Sequence, residues 1–244
     1  DLDPTNVNGL LVSGDLAFEA ARFLEAAKSY ASIANRVDVL AKEEQPKLLM
    51  RYVDSLSKSG SAEKAAGVVE KLLALAPDDP GAVSRAARVS FDAGKGKEAA
   101  RLFQDLLKRF GETLTINERG DAMLKLGESW MKAGEYEEAI LPLTEAADLA
   151  PDSPAPINAL CKVYEAKKDW EEVVRLKTRR LDVVVGDERS GLLLEIGDIL
   201  ANQMNDRTRA AKSYVAALDE RPDDRKTLTK LMQLYSEEKD WAKL

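Results

Sequence analysis

Apolar residues recur at spacings of three and four along almost the whole chain, interrupted at near-regular intervals by glycine or by Pro-Asp pairs. Such spacing returns side chains to one stripe of an α-helix, so the pattern predicts amphipathic helices with one buried face each. It is clearest over residues 120–153. There Met123, Leu126, Gly127 and Trp130 make one stripe and Ala139, Leu143 and Ala146 a second. Ala133-Gly134 separates the two, and Pro151-Asp152-Ser153 closes the unit. The small residues Gly127, Ala139 and Ala146 let two backbones approach, and the large ones fill the space beside them. Gly134 can take the left-handed conformation that ends a helix. Pro151 is tolerated just past a helix end, and Asp152 or Ser153 is placed to cap the next helix, with Pro154 in its first turn. The unit is a helical hairpin that cannot bury its own apolar faces, so neighbours must stack on it.

The same arrangement recurs in order. The expected units are residues 7–45, 46–79, 80–119, 120–153, 154–189 and 190–224, then a half-unit at 225–244, with 1–6 the tail of a preceding one. Several local features carry their own expectations. No Pro or Gly interrupts Ala20 to Gln45, which predicts one long helix there. Residues 114–119 predict a backward extension of the next first helix. Pro142, inside a second helix, should remove one backbone hydrogen bond and bend that helix. Asp169-Trp170-Glu171-Glu172 reads as a capping-box start.

The 34-residue period of residues 120–153, with small residues at positions 8, 20 and 27 and proline at 32, resembles the tetratricopeptide repeat (TPR). The resemblance covers essentially the whole chain. Val173, Lys177 and Arg180 depart from the small-aromatic-small pattern that the family has at these places, which implies a more exposed helix there. It implies an all-α fold: a right-handed α-solenoid of stacked antiparallel helix pairs, forming one TPR superhelix over 1–244. Both ends fall inside a repeat, so the sequence reads as a piece of a long bacterial multi-TPR protein.

Composition narrows the chemistry. Of 244 residues, 45% are hydrophobic and 32% charged, and the formal net charge is −7. That acidity weighs against nucleic acid as a partner. There is no histidine, which removes the commonest general base and metal ligand. Cys161, at position 8 of its repeat, is the one cysteine; it cannot form an internal disulfide or build a zinc site, and it reads as a packed thiol. The pairs Glu43-Glu44, Glu137-Glu138 and Glu237-Glu238 read as solvated helix faces. Trp130, Trp170 and Trp241 fall at core or inter-helix positions. No glycine loop suited to phosphate appears, and no run approaches the ~18 apolar residues of a membrane span. The expectation is a cytoplasmic protein that is not an enzyme and holds no cofactor or metal.

In the TPR family, first helices line the concave face, and positions 2, 5, 9, 12 and 13 point into it. Carried over, these positions place Phe18, Met50, Phe91, Leu124 and Met131 in a groove as apolar anchors. Met and aromatic side chains are adaptable at recognition surfaces. Lys47, Arg51, Arg85 and Arg88 form a basic cluster within an acidic chain, able either to receive an acidic segment or to pair with Asp54, Asp92 and their neighbours. Some family members clamp the C-terminal carboxylate of chaperones. The corresponding places here hold Leu11, Asp15, Arg51, Gly81 and Arg85, of which only Arg85 matches, so that function is rejected. The reading is a scaffold or adaptor that binds a partner protein or peptide in its groove. Two others compete: a substrate-selecting arm of a larger enzyme such as a glycosyltransferase, and self-assembly through the open face of the half-repeat at 225–244.

Overall fold

The computed structural model describes residues 6–238. Its α-helices are α1 (Val7–Glu19), α2 (Phe23–Ala34), α3 (Glu44–Lys58), α4 (Ala62–Leu75), α5 (Pro80–Asp92), α6 (Gly96–Phe110), α7 (Ile116–Lys132), α8 (Tyr136–Leu149), α9 (Pro154–Ala166), α10 (Trp170–Arg180), α11 (Gly186–Asn202), α12 (Arg207–Glu220) and α13 (Arg225–Glu238). No strand occurs among the described residues. The fold is all-α, built of stacked helix hairpins. The chain divides inside α8, after Pro142, into two compact units.

In the first unit each helix from α1 to α7 packs on the next, and α3 also lies against α5 and α5 against α7. Helices α3, α5 and α7 therefore form one layer, to which α1 is tied by the Asp15–Arg51 ion pair. Three apolar clusters run through the stack. Ala17, Ala26, Tyr30, Ile33 and Leu48 bury together at its start. Leu49, Val53, Leu56, Ala65, Val69 and Leu72 continue it. Phe103 then packs among Val83, Ala87, Ala99, Leu106 and Leu126. In the second unit α9 to α13 pack in succession. Ile196, Leu200, Ala210, Tyr214 and Leu234 make its principal cluster.

Within six hairpins the turn from first to second helix carries one residue in the left-handed region. It is glycine in three of them, Gly60 (φ 74), Gly94 (φ 74) and Gly134 (φ 79). In the others it is Ala21 (φ 56), Lys168 (φ 59) and Asn205 (φ 55). Asparagine tolerates this conformation, but for Ala and Lys the Cβ crowds the backbone. Lys168→Gly should therefore raise the unfolding free energy by about 0.5–1 kcal/mol, the relief of strain less the greater entropy of glycine in the unfolded chain. Urea denaturation checks it; no gain would mean the turn carries no strain.

The long helix expected from Ala20 to Gln45 does not form. The chain turns at Ala21, α2 ends at Ala34, and a 3-10 turn, Val37–Val39, leads to Leu40 in an extended conformation. Tertiary packing overrides local propensity: Val37 and Leu40 pack on the first cluster. The Gln45 side-chain amide donates to the Leu40 carbonyl oxygen at 3.1 Å and fixes the entry to α3. The segment before α7 behaves as expected only in part. α7 does begin early, at Ile116, but Thr115 is its cap rather than helix. The Thr115 hydroxyl accepts from the Glu118 N–H, and the Glu118 carboxylate accepts from the Thr115 N–H at 2.9 Å, a complete capping box. Those bonds hold the Glu118 carboxyl below its ordinary range.

Helix α8 continues through Pro142. Ser153 occupies the cap position of α9 but its side chain makes no capping bond, and Pro154 opens the helix instead. Asp169 caps α10 by accepting from the Glu172 N–H, without the reciprocal bond of a full box. Helix α10 is also less exposed than its sequence implies. Val173, Val174 and Leu176 are buried. The side chains of Lys177 and Arg180 are only 16% and 14% exposed, their heads reaching Glu195 and Glu188. Long basic side chains can lay their stems along apolar surface while the charge finds a carboxylate. Cys161 is buried nearby, and burial raises its thiol pKa despite Lys177, so it is a packed thiol. The expectations for residues 1–5 and 239–244, Trp241 among them, and for the side chains of Glu237 and Glu238 lie outside the described residues.

Candidate functional site

The odd helices of the first unit carry the residues singled out from sequence, and ion pairs join these helices rung by rung. Asp15 on α1 accepts from Arg51 on α3 at 2.8 and 3.0 Å. Asp54 on α3 accepts from Arg85 on α5 in a bidentate pair at 2.8 and 2.9 Å. The same relation returns in the second unit, where Asp198 on α11 accepts from Lys230 on α13 at 2.6 Å. In each case an Asp at position 9 of one repeat meets a cation at position 6 of the next. The spacing lets a side chain on one first helix reach the facing row of its neighbour.

Between α5 and α7 the pattern changes. Position 9 is Arg88 and position 6 is Lys125, two cations that cannot pair. Arg88 turns to Asp121 at 2.5 Å, and Lys125 to Glu128 on its own helix at 2.7 Å. Lys47, the remaining member of the basic cluster, pairs with Glu44 at 2.7 Å. The three arginines and Lys47 thus each have a carboxylate partner within the chain. Pairs as exposed as these are worth roughly 0–1 kcal/mol, so a ligand can exchange them at small expense.

The apolar candidates fall into two groups. Met50 and Leu124 are half-buried on α3 and α7, and Met131 is half-buried near the end of α7. Met50 also packs on the buried cluster of α3 and α4. Phe18 and Phe91 are not bare anchors. The Phe18 ring meets Phe23 edge-on at 5.4 Å, and the Lys58 ammonium lies 4.6 Å from its centre. Phe91 has the Lys132 ammonium 3.3 Å and the Lys125 ammonium 4.6 Å from its centre. Lys58, Lys125 and Lys132 were not singled out from sequence. The signal for them lies in register: Phe at position 12 of one repeat, Lys at position 13 of the next.

In each unit a tyrosine holds an ion-paired aspartate from behind. Tyr30 packs its ring on Gly14 and donates its hydroxyl to Asp15 at 2.5 Å. Tyr214 packs on Gly197 and donates to Asp198 at 2.9 Å. Burial first, and the carboxylate hydrogen bond second, hold both hydroxyls well above their ordinary pKa of 10.0. A pKa raised in the folded state gives stability that is fully present below pH about 10 and lost as pH rises toward the folded value. Melting temperature should therefore fall steeply above pH 10, and Tyr30→Phe/Tyr214→Phe should flatten that fall. An unchanged slope would show that neither hydroxyl is linked to folding.

Among the described residues no group of three or more His, Cys, Asp or Glu is placed to hold a metal ion, and no helix is long and apolar enough to cross a membrane. The class of protein is defined by the stacking itself: a helical-repeat protein in whose first unit ion pairs join the first helices α1, α3, α5 and α7. In sequence, residues 84–154 of the chain match the tetratricopeptide repeat family. No curated protein matches it in sequence. Several solved structures share the fold. MamA superposes with a TM-score of 0.62 at 18% identity, covering 72% of this chain and 91% of that one. MamA from residue 41 to its end, from Desulfovibrio magneticus RS-1, gives 0.57 at 18% identity, covering 73% and 97%. YrrB, described as a TPR protein with an unusual peptide-binding site, gives 0.55 at 19% identity, covering 75% and 90%.

Proposed function

We propose that the first unit binds a segment of a partner protein along the layer formed by α1, α3, α5 and α7. The observation that carries this reading is the make-up of that layer. Half-buried apolar side chains, Met50 and Leu124, lie between exposed ion pairs that any ligand with polar groups can replace. A strip of adaptable apolar contacts within a polar frame is the ordinary composition of a recognition surface. That YrrB, of the same fold, is described as having a peptide-binding site supports the reading. The chain acts as an interaction scaffold, and its role is to hold a partner rather than to transform it.

The test is capture of partners from source-cell lysate by the parent chain and by Met50→Glu/Leu124→Glu. Recovery by the parent alone, with both proteins equally helical and equally stable, is expected; at least a tenfold loss would correspond to about 1.4 kcal/mol. Equal recovery by both would remove this face from the reading. Unfolding of the variant would show that the two side chains belong to the core.

A further inference from the structure

Two lysines on the first unit stand apart from the ion-pair ladder. Lys58 is the last residue of α3, and its ammonium sits over Phe18 at 4.6 Å and Phe23 at 5.0 Å. Lys132 is the last residue of α7, and its ammonium sits over Phe91 at 3.3 Å while donating to the Phe91 carbonyl oxygen at 2.9 Å. The two arrangements share one register two hairpins apart, a Phe one residue from the end of an odd helix and a Lys from the end of the next, although Lys58 also lies over Phe23 and the Phe91 ring is shared with Lys125. Neither lysine has a carboxylate partner among the described residues. Glu19 and Asp92, which follow the two phenylalanines, make no ion pair with them. In a chain of net charge −7, where Arg51, Arg85, Arg88, Lys47 and Lys125 each pair with a carboxylate, these two are held on aromatic rings instead.

An aromatic face attracts a cation but carries no charge, so it orients the ammonium without neutralising it. It also shields one side of the ammonium from water and removes much of the side chain's freedom before any ligand arrives. Lys58 has all three N–H donors unspent on hydrogen bonds among the described residues, and Lys132 has two. We propose that these seats are two anion subsites of the partner-binding layer, each taking an Asp or Glu side chain of one bound segment. The inference rests on the scaffold reading and gives the partner its chemistry. α3 and α7 are separated by α5, hence by two helix spacings of about 8–10 Å. An extended segment advances roughly 3.3 Å per residue. The bound segment carries acidic residues about five or six apart.

The test uses random 16-residue peptides displayed on phage, selected on the full chain and on Lys58→Gln/Lys132→Gln. Recovered peptides are then measured singly by fluorescence anisotropy. The parent should enrich acidic pairs at that spacing, and the double variant should bind them about tenfold more weakly. Lys58→Arg/Lys132→Arg should retain them, because guanidinium also stacks on aromatic rings. Peptides that require Met50 and Leu124 but show no acidic preference, or bind the Gln variant equally, would overturn the subsites and leave the scaffold reading standing. Recovery of no peptide at all would overturn both. Should the Gln variant fail to fold, the parent's affinity for a recovered peptide against its Glu→Gln version asks the same question, and equal affinities refute the proposal.

Discussion

Gly197→Leu should lower the stability of the second unit by about 3 kcal/mol, the upper part of the range for overpacking a filled core. A Cβ at this position would stand 2.6 Å from Cδ1 of Tyr214 and closer still to Cε1. The ring cannot retreat, since Tyr214 is 2% exposed and its hydroxyl is held by Asp198. Moving it would also release Asp198 from one of its two partners. Gly191, on the same helix α11, supplies the control: nothing lies within 4 Å of its added Cβ. Gly191→Ala should stabilise by roughly 0.5–1 kcal/mol, because an alanine loses less entropy in a helix. Urea denaturation of the two variants should move in opposite directions. A common direction would mean that the Gly197–Tyr214 contact is not what keeps the position small.

The second large effect is expected from Phe103→Ala. Phe103 is 1% exposed and is the largest side chain in its cluster, between Val83 and Ala87 of α5, Leu106 of α6 and Leu126 of α7. Its truncation should cost about 3–5 kcal/mol, the transfer of the ring plus the cavity left behind. Four of the seven other buried residues of the cluster are alanines, too short to collapse into the space. Because each hairpin depends on its immediate neighbours, the loss should open α5 to α7 first. Hydrogen exchange resolves this: amides of α5–α7 should lose protection before those of α1 and α2. A uniform loss would show that the first unit unfolds as a single block.

Much of this architecture is legible in the residues themselves. Gly60, Gly94 and Gly134 announce three of the turns because only glycine takes a left-handed conformation without strain. Ala21 and Lys168 announce nothing, since there the packing of two helices imposes the conformation on residues that resist it. The break after Ala34 is silent for a related reason. No residue in 35–44 forbids a helix; what ends it is the burial of Val37 and Leu40 against a core assembled from distant segments. Helix α10 shows the converse, for Lys177 and Arg180 look exposed until Glu195 and Glu188 are brought to them.

The layer of odd helices divides the same way. Phe18 and Phe91 are identifiable from their place in the repeat. Their lysines come from the following repeat, so no pattern within one repeat reveals them. The ladder was half visible: Arg51, Arg85 and Arg88 stand out as a basic cluster, but their pairing depends on which carboxylate the next helix presents.

The ladder also sets how the first unit responds to its solvent. Its members are a third to a half exposed, and they pair from helix to helix. Dissolved salt screens such pairs, whereas the apolar clusters beneath do not depend on charge. Raising ionic strength slackens the outer fastening of the odd helices and leaves the inner one taut. The odd helices of the first unit are thus held outside by charge and inside by apolar packing, and only the outer hold answers to the electrolyte.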